Sequence, residues 1–360
     1  MHISSIVCLA GIFAALAPQA AAQSAGGPFG VGVATRDVVD PTRSAPDSPH
    51  AVKVWLWFPV DDTGLPPATV GSFFSESPEQ LDWLYDEPVS FGADSAALSS
   101  LLEFETRSAW IGPRAAEGVG QLIVIGQGVG QPAFANFGTN ELLASHGFFV
   151  ASTASGWSPN GRSDLDNQLS DFEVAVRTAR EIFPHLALDS VAFLAHSAGA
   201  QAAALATVRG WDVAALALLD PSVLGVREAA ALRSEAGWGS GIGVPTLLAM
   251  SHWWRLGAEP HPNLDTDIID GFVGSRVTLD MRFMEHPDFV SLDHLRSETV
   301  DYAAAGLTYD FERAERGLTI VQEMLVHFFR WSLLGDAEAL KLLSQGVDGV
   351  ESEGEYSLRR

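Results

Sequence analysis

The chain has 360 residues and carries 21 Lys and Arg against 45 Asp and Glu, a formal charge of −24. With 47% hydrophobic and 18% charged residues it is too apolar for a disordered chain, and its 34 glycines follow no collagen period. Lys53 and Lys341 are the only lysines, so the charge excludes a nucleic-acid binder and argues against stable association with anionic membranes.

Residues 1–22 read as a secretory signal: an apolar stretch from Ile6 to Leu16, Pro18, then Ala20-Ala21-Ala22, with cleavage expected after Ala22. That stretch is too short to span a bilayer. The expected location is therefore periplasmic or extracellular. Cys8, the sole cysteine, leaves with the signal, which excludes disulfides, a thiol nucleophile and thiolate metal sites in the mature chain.

In the mature chain, Phe29–Val39 and Val52–Val60 read as strands, with Val54, Leu56 and Phe58 on one face. Residues 61–118 are irregular, with helical pieces at Glu79–Tyr85 and Ala96–Phe104, and read as an insertion. Regular alternation follows. Strands are expected at 122–125, 148–151, 191–194, 213–219, 244–250 and 276–283. Helices are expected at 136–146, 165–183, 198–208 and 319–334. Fully apolar strands alternating with helices imply a mostly parallel, doubly wound α/β sheet covered on both faces. No linker divides the series, so 23–360 reads as one domain with a short C-terminal tail.

Strand 191–194 runs into Ala195-His196-Ser197-Ala198-Gly199 and a helix rich in alanine. This is the nucleophile-elbow pattern Gly-x-Ser-x-Gly with alanine at the first small position; a turn this tight lifts the serine hydroxyl above the sheet edge. The competing reading is an ordinary helix N-cap serine. Strand 213–219 ends in Asp220-Pro221, where a carboxylate reaches across the edge to orient an imidazole; the alternative is a turn aspartate. Histidines that follow in the chain are His252, His261, His286, His294 and His327. His286 stands on the loop after the last strand and is the expected base. His252 is expected to line a pocket, and His327 to be a core histidine.

The turn Gly126-Gln127-Gly128-Val129-Gly130 follows strand 122–125. Tetrahedral oxyanions need two preorganised N–H donors, and Val129 and Ala198 are the expected pair. A dinucleotide loop is the rival, but Gly-x-Gly-x-x-Gly is not completed and no acid ends the next strand. Gln127, Gly128, Trp157, His196, His252, Trp253 and Trp254 are expected to line the substrate pocket, with Trp83 as a further candidate; ordinary core is the alternative for the tryptophans.

On Val54–Pro59, Leu143–Ala151, Ala195–Gly199, Leu219-Asp220-Pro221 and His286–Phe289, the chain resembles the platelet-activating-factor acetylhydrolase branch of the α/β-hydrolases, with dienelactone-hydrolase-like and polyester-cleaving esterases nearby. The resemblance implies an α/β-hydrolase fold, a Ser197-His286-Asp220 triad and an acyl-enzyme route on short-acyl or polymeric esters, with no cofactor and no metal. Ala195 and Gln127 depart from the family, which commonly has Gly and His there. The readings left beside it are lactone, dienelactone or polyester hydrolysis, and a binding protein that keeps the fold without activity.

Overall fold

A strand covered on both faces has no use for polar alternation, so wholly apolar runs go to the middle of a sheet. In the computed structural model those runs are β4 (Leu122–Gly126), β5 (Phe149–Ser152), β6 (Val191–His196), β7 (Val213–Leu219) and β8 (Thr246–Ser251). The structure describes residues 26–45, 48–61, 64–90, 95–116, 120–155, 164–184, 186, 190–251, 264–300, 302, 308–346 and 355–359. The signal reading of 1–22 with Cys8, and Trp157, His252, Trp253, Trp254 and His261, lie outside the described residues.

With β9 (Arg276–Met281), the five strands run parallel. β1 (Gly30–Ala45) and β2 (Ser48–Val60) form an antiparallel hairpin that joins β5 through β2. β3 (Ser108–Trp110) extends one edge beside β1, and β10 (Glu355–Arg359) closes the other beside β9. The order is β10-β9-β8-β7-β6-β4-β5-β2-β1-β3. After β4 the chain steps to β5 on one side and then to β6 on the other. Such a reversal opens a crevice at the carboxyl ends of β4 and β6, where ligands bind in open α/β sheets.

Helices cover both faces. α4 (Phe137–Ser145) and α9 (Phe311–Leu334) share a core with Trp55, Trp57, Ile123, Leu194 and Ala217. α5 (Leu165–Ile182) and α6 (Ala198–Val208) share the opposite one with Val54, Leu56, Phe58, Val124 and Phe193. Ala200, Ala202, Ala203, Ala204 and Ala206 of α6 are wholly buried, so this helix lies close on the sheet; enlarging one of them would cost about 1–3 kcal/mol in overpacking.

Four differences from the sequence reading have local causes. β9 stops at Met281, two residues early, because Arg282 and Phe283 turn towards the following loop. The long helix starts at Phe311 rather than 319; the Asp310 side chain caps it by accepting the Arg313 N–H at 3.0 Å. Within 61–118 the structure adds α1 (Val70–Glu76) and β3 to α2 (Leu81–Ser90) and α3 (Ser95–Ser100). α1 delivers Phe73 edge-on to Trp55 at 5.4 Å, fixing this segment to the hairpin by aromatic packing. Finally, the C-terminal tail contains β10, whose Glu-Tyr-Ser-Leu-Arg sequence carries too little apolar character to announce a strand.

Candidate active site

Ser197 sits between β6 and α6 with φ 53° and ψ −120°. Among the described non-glycine residues only Ser197 and Asp220 have positive φ. Such conformations cost of order 1–3 kcal/mol each and persist only where the surroundings impose them. Ser197 stands at the N-cap position of α6 but its side chain makes no capping hydrogen bond, and it alone between 191 and 200 is only partly buried.

The small neighbours explain how the turn closes. A Cβ on Gly199 would stand 2.2 Å from the Gly126 carbonyl oxygen, so nothing larger than glycine fits. Ala195 pairs across the ladder with Gly126, and a Cβ on Gly126 would lie 2.8 Å from that of Ala195. The methyl at 195 is thus accommodated by a glycine on the neighbouring strand.

Asp220 follows β7 with φ 42°. The Ser197 N–H donates to the Leu219 carbonyl at 3.1 Å, and the Ser222 N–H donates to the Ser197 carbonyl at 3.1 Å, stitching the two turns together. The Asp220 side chain is buried. Its Oδ1 accepts the Ser251 N–H at 2.7 Å, and its Oδ2 is hydrogen-bonded to His286 Nδ1. Burial pushes this carboxyl up, but the hydrogen bond and charge of His286, with the Ser251 N–H, outweigh it and hold the group below its ordinary value of 3.8.

His286 opens a short 3-10 turn after β9 (His286–Phe289), and its side chain is 40% exposed, so the ring faces solvent on one side and the buried aspartate on the other. Asp288, wholly buried, holds this turn: its Oδ2 accepts the Glu285 N–H at 2.6 Å and its Oδ1 accepts the Tyr309 hydroxyl. His294, the neighbouring histidine, is buried with its ring flat against Phe311 at 4.6 Å, away from Asp220. His327 is half-buried on α9. Asp265, beyond β8, pairs with Arg233 instead of an imidazole.

The turn after β4 can be accounted for amide by amide. The Gly128 N–H donates to Gln131 Oε1 at 2.7 Å, Gly130 to the Ser155 carbonyl at 3.1 Å, and Gln131 to the Gly128 carbonyl at 3.1 Å. Gly130 has φ 75°, the value required at the third position of a type II turn. Val129 is left as the one amide of the four with no acceptor among the described residues. Ala198, first residue of α6, likewise has none.

Other expected pocket residues lie elsewhere. Gln127 is buried and bonds the Ala133 carbonyl and Ser152 Oγ at 2.9 and 3.1 Å, so it fastens the turn from inside instead of facing a ligand. His196 is buried too, its ring 4.4 Å from that of His286 and its Nε2 3.1 Å from the His286 carbonyl. Gly128 is buried beneath Gln131. Trp83 packs under the Arg296 guanidinium at 3.8 Å. Gln131 and Ser251 carry no motif and are visible only through their hydrogen bonds, whereas Asp288 falls within the segment His286–Phe289 without its bracing role being apparent from the sequence.

Beside this site, between the hairpin and the start of α5, lies a polar cleft with about 1270 Å³ of empty space, mouth included, bordered by Arg43, His50, Lys53, Ser155 and Gln168. Among the described residues no group of three or more His, Cys, Asp or Glu is placed to hold a metal ion, and no helix is long and apolar enough to cross a membrane.

No protein-family model and no curated protein matches the sequence. Among solved structures, the chain is similar to a ferulic acid esterase from Streptomyces cinnamoneus, with a TM-score of 0.62 and 17% identity over 94% of this chain and 99% of that one. The two share a fold: a mainly parallel α/β sheet of the hydrolase type.

Proposed function

We propose that this chain is an exported serine hydrolase of carboxylic esters. The observation that carries the reading is the hydrogen bond from His286 to the buried Asp220, beside a strained Ser197 with two unpaired amides at hand. In this mechanism His286 Nε2 takes the Ser197 hydroxyl proton while Oγ attacks the acyl carbon. The Val129 and Ala198 N–H groups receive the oxyanion, and Asp220 keeps the ring in the tautomer that leaves Nε2 free. As the tetrahedral adduct collapses, His286 returns the proton to the departing alcohol. Water then repeats the cycle on the acyl-enzyme, releasing the acid and restoring Ser197.

The resemblance to acetylhydrolases supports short-acyl esters as substrates. The likeness to a ferulic acid esterase supports testing hydroxycinnamoyl esters beside them, and lactones and polyesters complete the panel. In a p-nitrophenyl acetate assay, Ser197→Ala should lose about four orders of magnitude or more in kcat. Equal rates in the two proteins would sink the assignment, and failure of a fluorophosphonate to label wild-type Ser197 would favour the inactive binding protein.

A further inference from the structure

Gln131 touches three groups of the site at once. Its Oε1 accepts the Gly128 N–H at 2.7 Å and lies 3.3 Å from His196 Nδ1. Its Nε2 donates to Asp293 Oδ2 at 2.9 Å, and Asp293 in turn pairs with Arg296 at 2.7 Å. Asp293 belongs to α8 (Ser291–Ser297), which follows directly on the segment bearing His286. One buried amide therefore spans from the turn after β4 to the helix behind the base.

We propose that Gln131 is a positioning residue for the oxyanion turn, an inference that rests on the esterase reading. Three features carry it. A backbone amide left unbonded beside Val129 would compete for the turn's orientation; Gln131 occupies the Gly128 N–H, so Val129 alone is left to face an oxyanion. The site is also built around the contact, since a Cβ on Gly128 would fall 2.8 Å from Gln131 Oε1 and 3.1 Å from His196 Nδ1. A side chain at 128 would therefore have to displace the Gln131 amide and press on the His196 ring. Finally, the direction of the Gln131 amide is fixed: its oxygen must meet an N–H and its nitrogen a carboxylate.

His196 completes the link. Burial, reinforced by neighbouring His286, lowers its pKa to about 3, so its ring is neutral at working pH. The His286 carbonyl, 3.1 Å from Nε2, and Gln131 Oε1, 3.3 Å from Nδ1, both only accept, so the single proton of the neutral ring serves one of these two contacts. The nearby imidazole therefore never places a second positive charge against His286 when that ring becomes protonated. Gln131 thus ties the oxyanion turn to the helix behind His286, and the His196 ring lies between Gln131 and the His286 carbonyl with a hydrogen bond to one of them.

The test is kinetic, on the full chain. Gln131→Leu should lower kcat about 10–100-fold while leaving KM within about threefold, because a misplaced donor weakens the transition state more than the ground state. A trifluoromethyl ketone, which forms a tetrahedral oxyanion on Ser197, should lose affinity in parallel with kcat. The exchange variant Gln131→Glu with Asp293→Asn keeps an acceptor for Gly128 and a hydrogen bond between the two side chains. It should recover kcat to within about threefold of wild type, whereas Gln131→Glu alone should not. If Gln131→Leu fails to fold, the contrast between these last two variants reads the same quantity. Unchanged kcat in Gln131→Leu, a fall in kcat with unchanged ketone affinity, or no recovery in the exchange variant would overturn the inference. An inert wild type would instead overturn the esterase reading itself.

Discussion

The two sides of the sheet's carboxyl edge are built on opposite principles. Around Ser197 and Asp220 the chain is held by close backbone contact and strained dihedrals, with no space for an added methyl at Gly199. On the other side, β2 pairs with β5 only at Trp55, Leu56 and Trp57, so the far half of the hairpin projects past its neighbour. That ribbon is secured by charge: Arg43 bridges Asp40 at 2.6 Å and Asp171 at 2.5 Å, and Ser170 donates to Asp40 at 2.9 Å. Dense packing fixes reacting atoms to fractions of an ångström, as catalysis needs. Ion pairs beside an open cleft fix side-chain positions much less closely.

The sharpest way to break this contrast is at Asp220. Asp220→Asn should reduce kcat by about 10²–10⁴-fold, because the amide no longer holds His286 in the productive tautomer. The same variant reports on stability. The Asp220 carboxyl is held below its ordinary value of 3.8, so its contribution is present above that pH and lost as pH falls through the lower native value. Wild type should therefore exceed Asp220→Asn in Tm near pH 5, with the gap closing well below pH 3.8; a gap that widens in acid would contradict this.

Gly199→Ala should be next in effect. With the new methyl 2.2 Å from a backbone oxygen, relaxation must move β4 or α6, and a loss of about 3 kcal/mol or more is expected by denaturant titration. A near-wild-type midpoint would show that the elbow is looser than its contacts imply. The smallest effect belongs to the hairpin. Arg43→Met leaves two largely buried carboxylates without their cation and should cost about 1–3 kcal/mol, discounted because the pair is partly screened by solvent. Its kcat on p-nitrophenyl acetate should not change; a large fall would mean the two sides are mechanically coupled.

Much of this arrangement is legible in the sequence where residues stand at strand ends. Ser197 and Asp220 each follow an apolar run, and His286 follows the last parallel strand; β5 and β6 are wholly buried and β7 nearly so, so composition marks them. Gln131 and Asp293 are not legible, because a polar residue in a turn or on a short helix looks the same whether it faces water or a buried partner. His196 and Gln127 mislead for a related reason: adjacency to Ser197 and the turn suggests a pocket wall, yet both side chains are buried. β3 and β10 escape because three residues, or five mostly polar ones, carry no period.

The junction of β4, β6 and α6 holds three small positions, 126, 195 and 199, and one methyl group. Shifting that methyl from 195 to 126 fails even after Ala195→Gly, since a Cβ on Gly126 would still lie 2.9 Å from the Gly199 carbonyl oxygen. Position 126 is therefore closed to a methyl whichever of the two residues stands at 195: a route from alanine to glycine at 195 opens no new choice at 126. A descendant of this chain can lose its one departure from the elbow pattern, but it cannot relocate it.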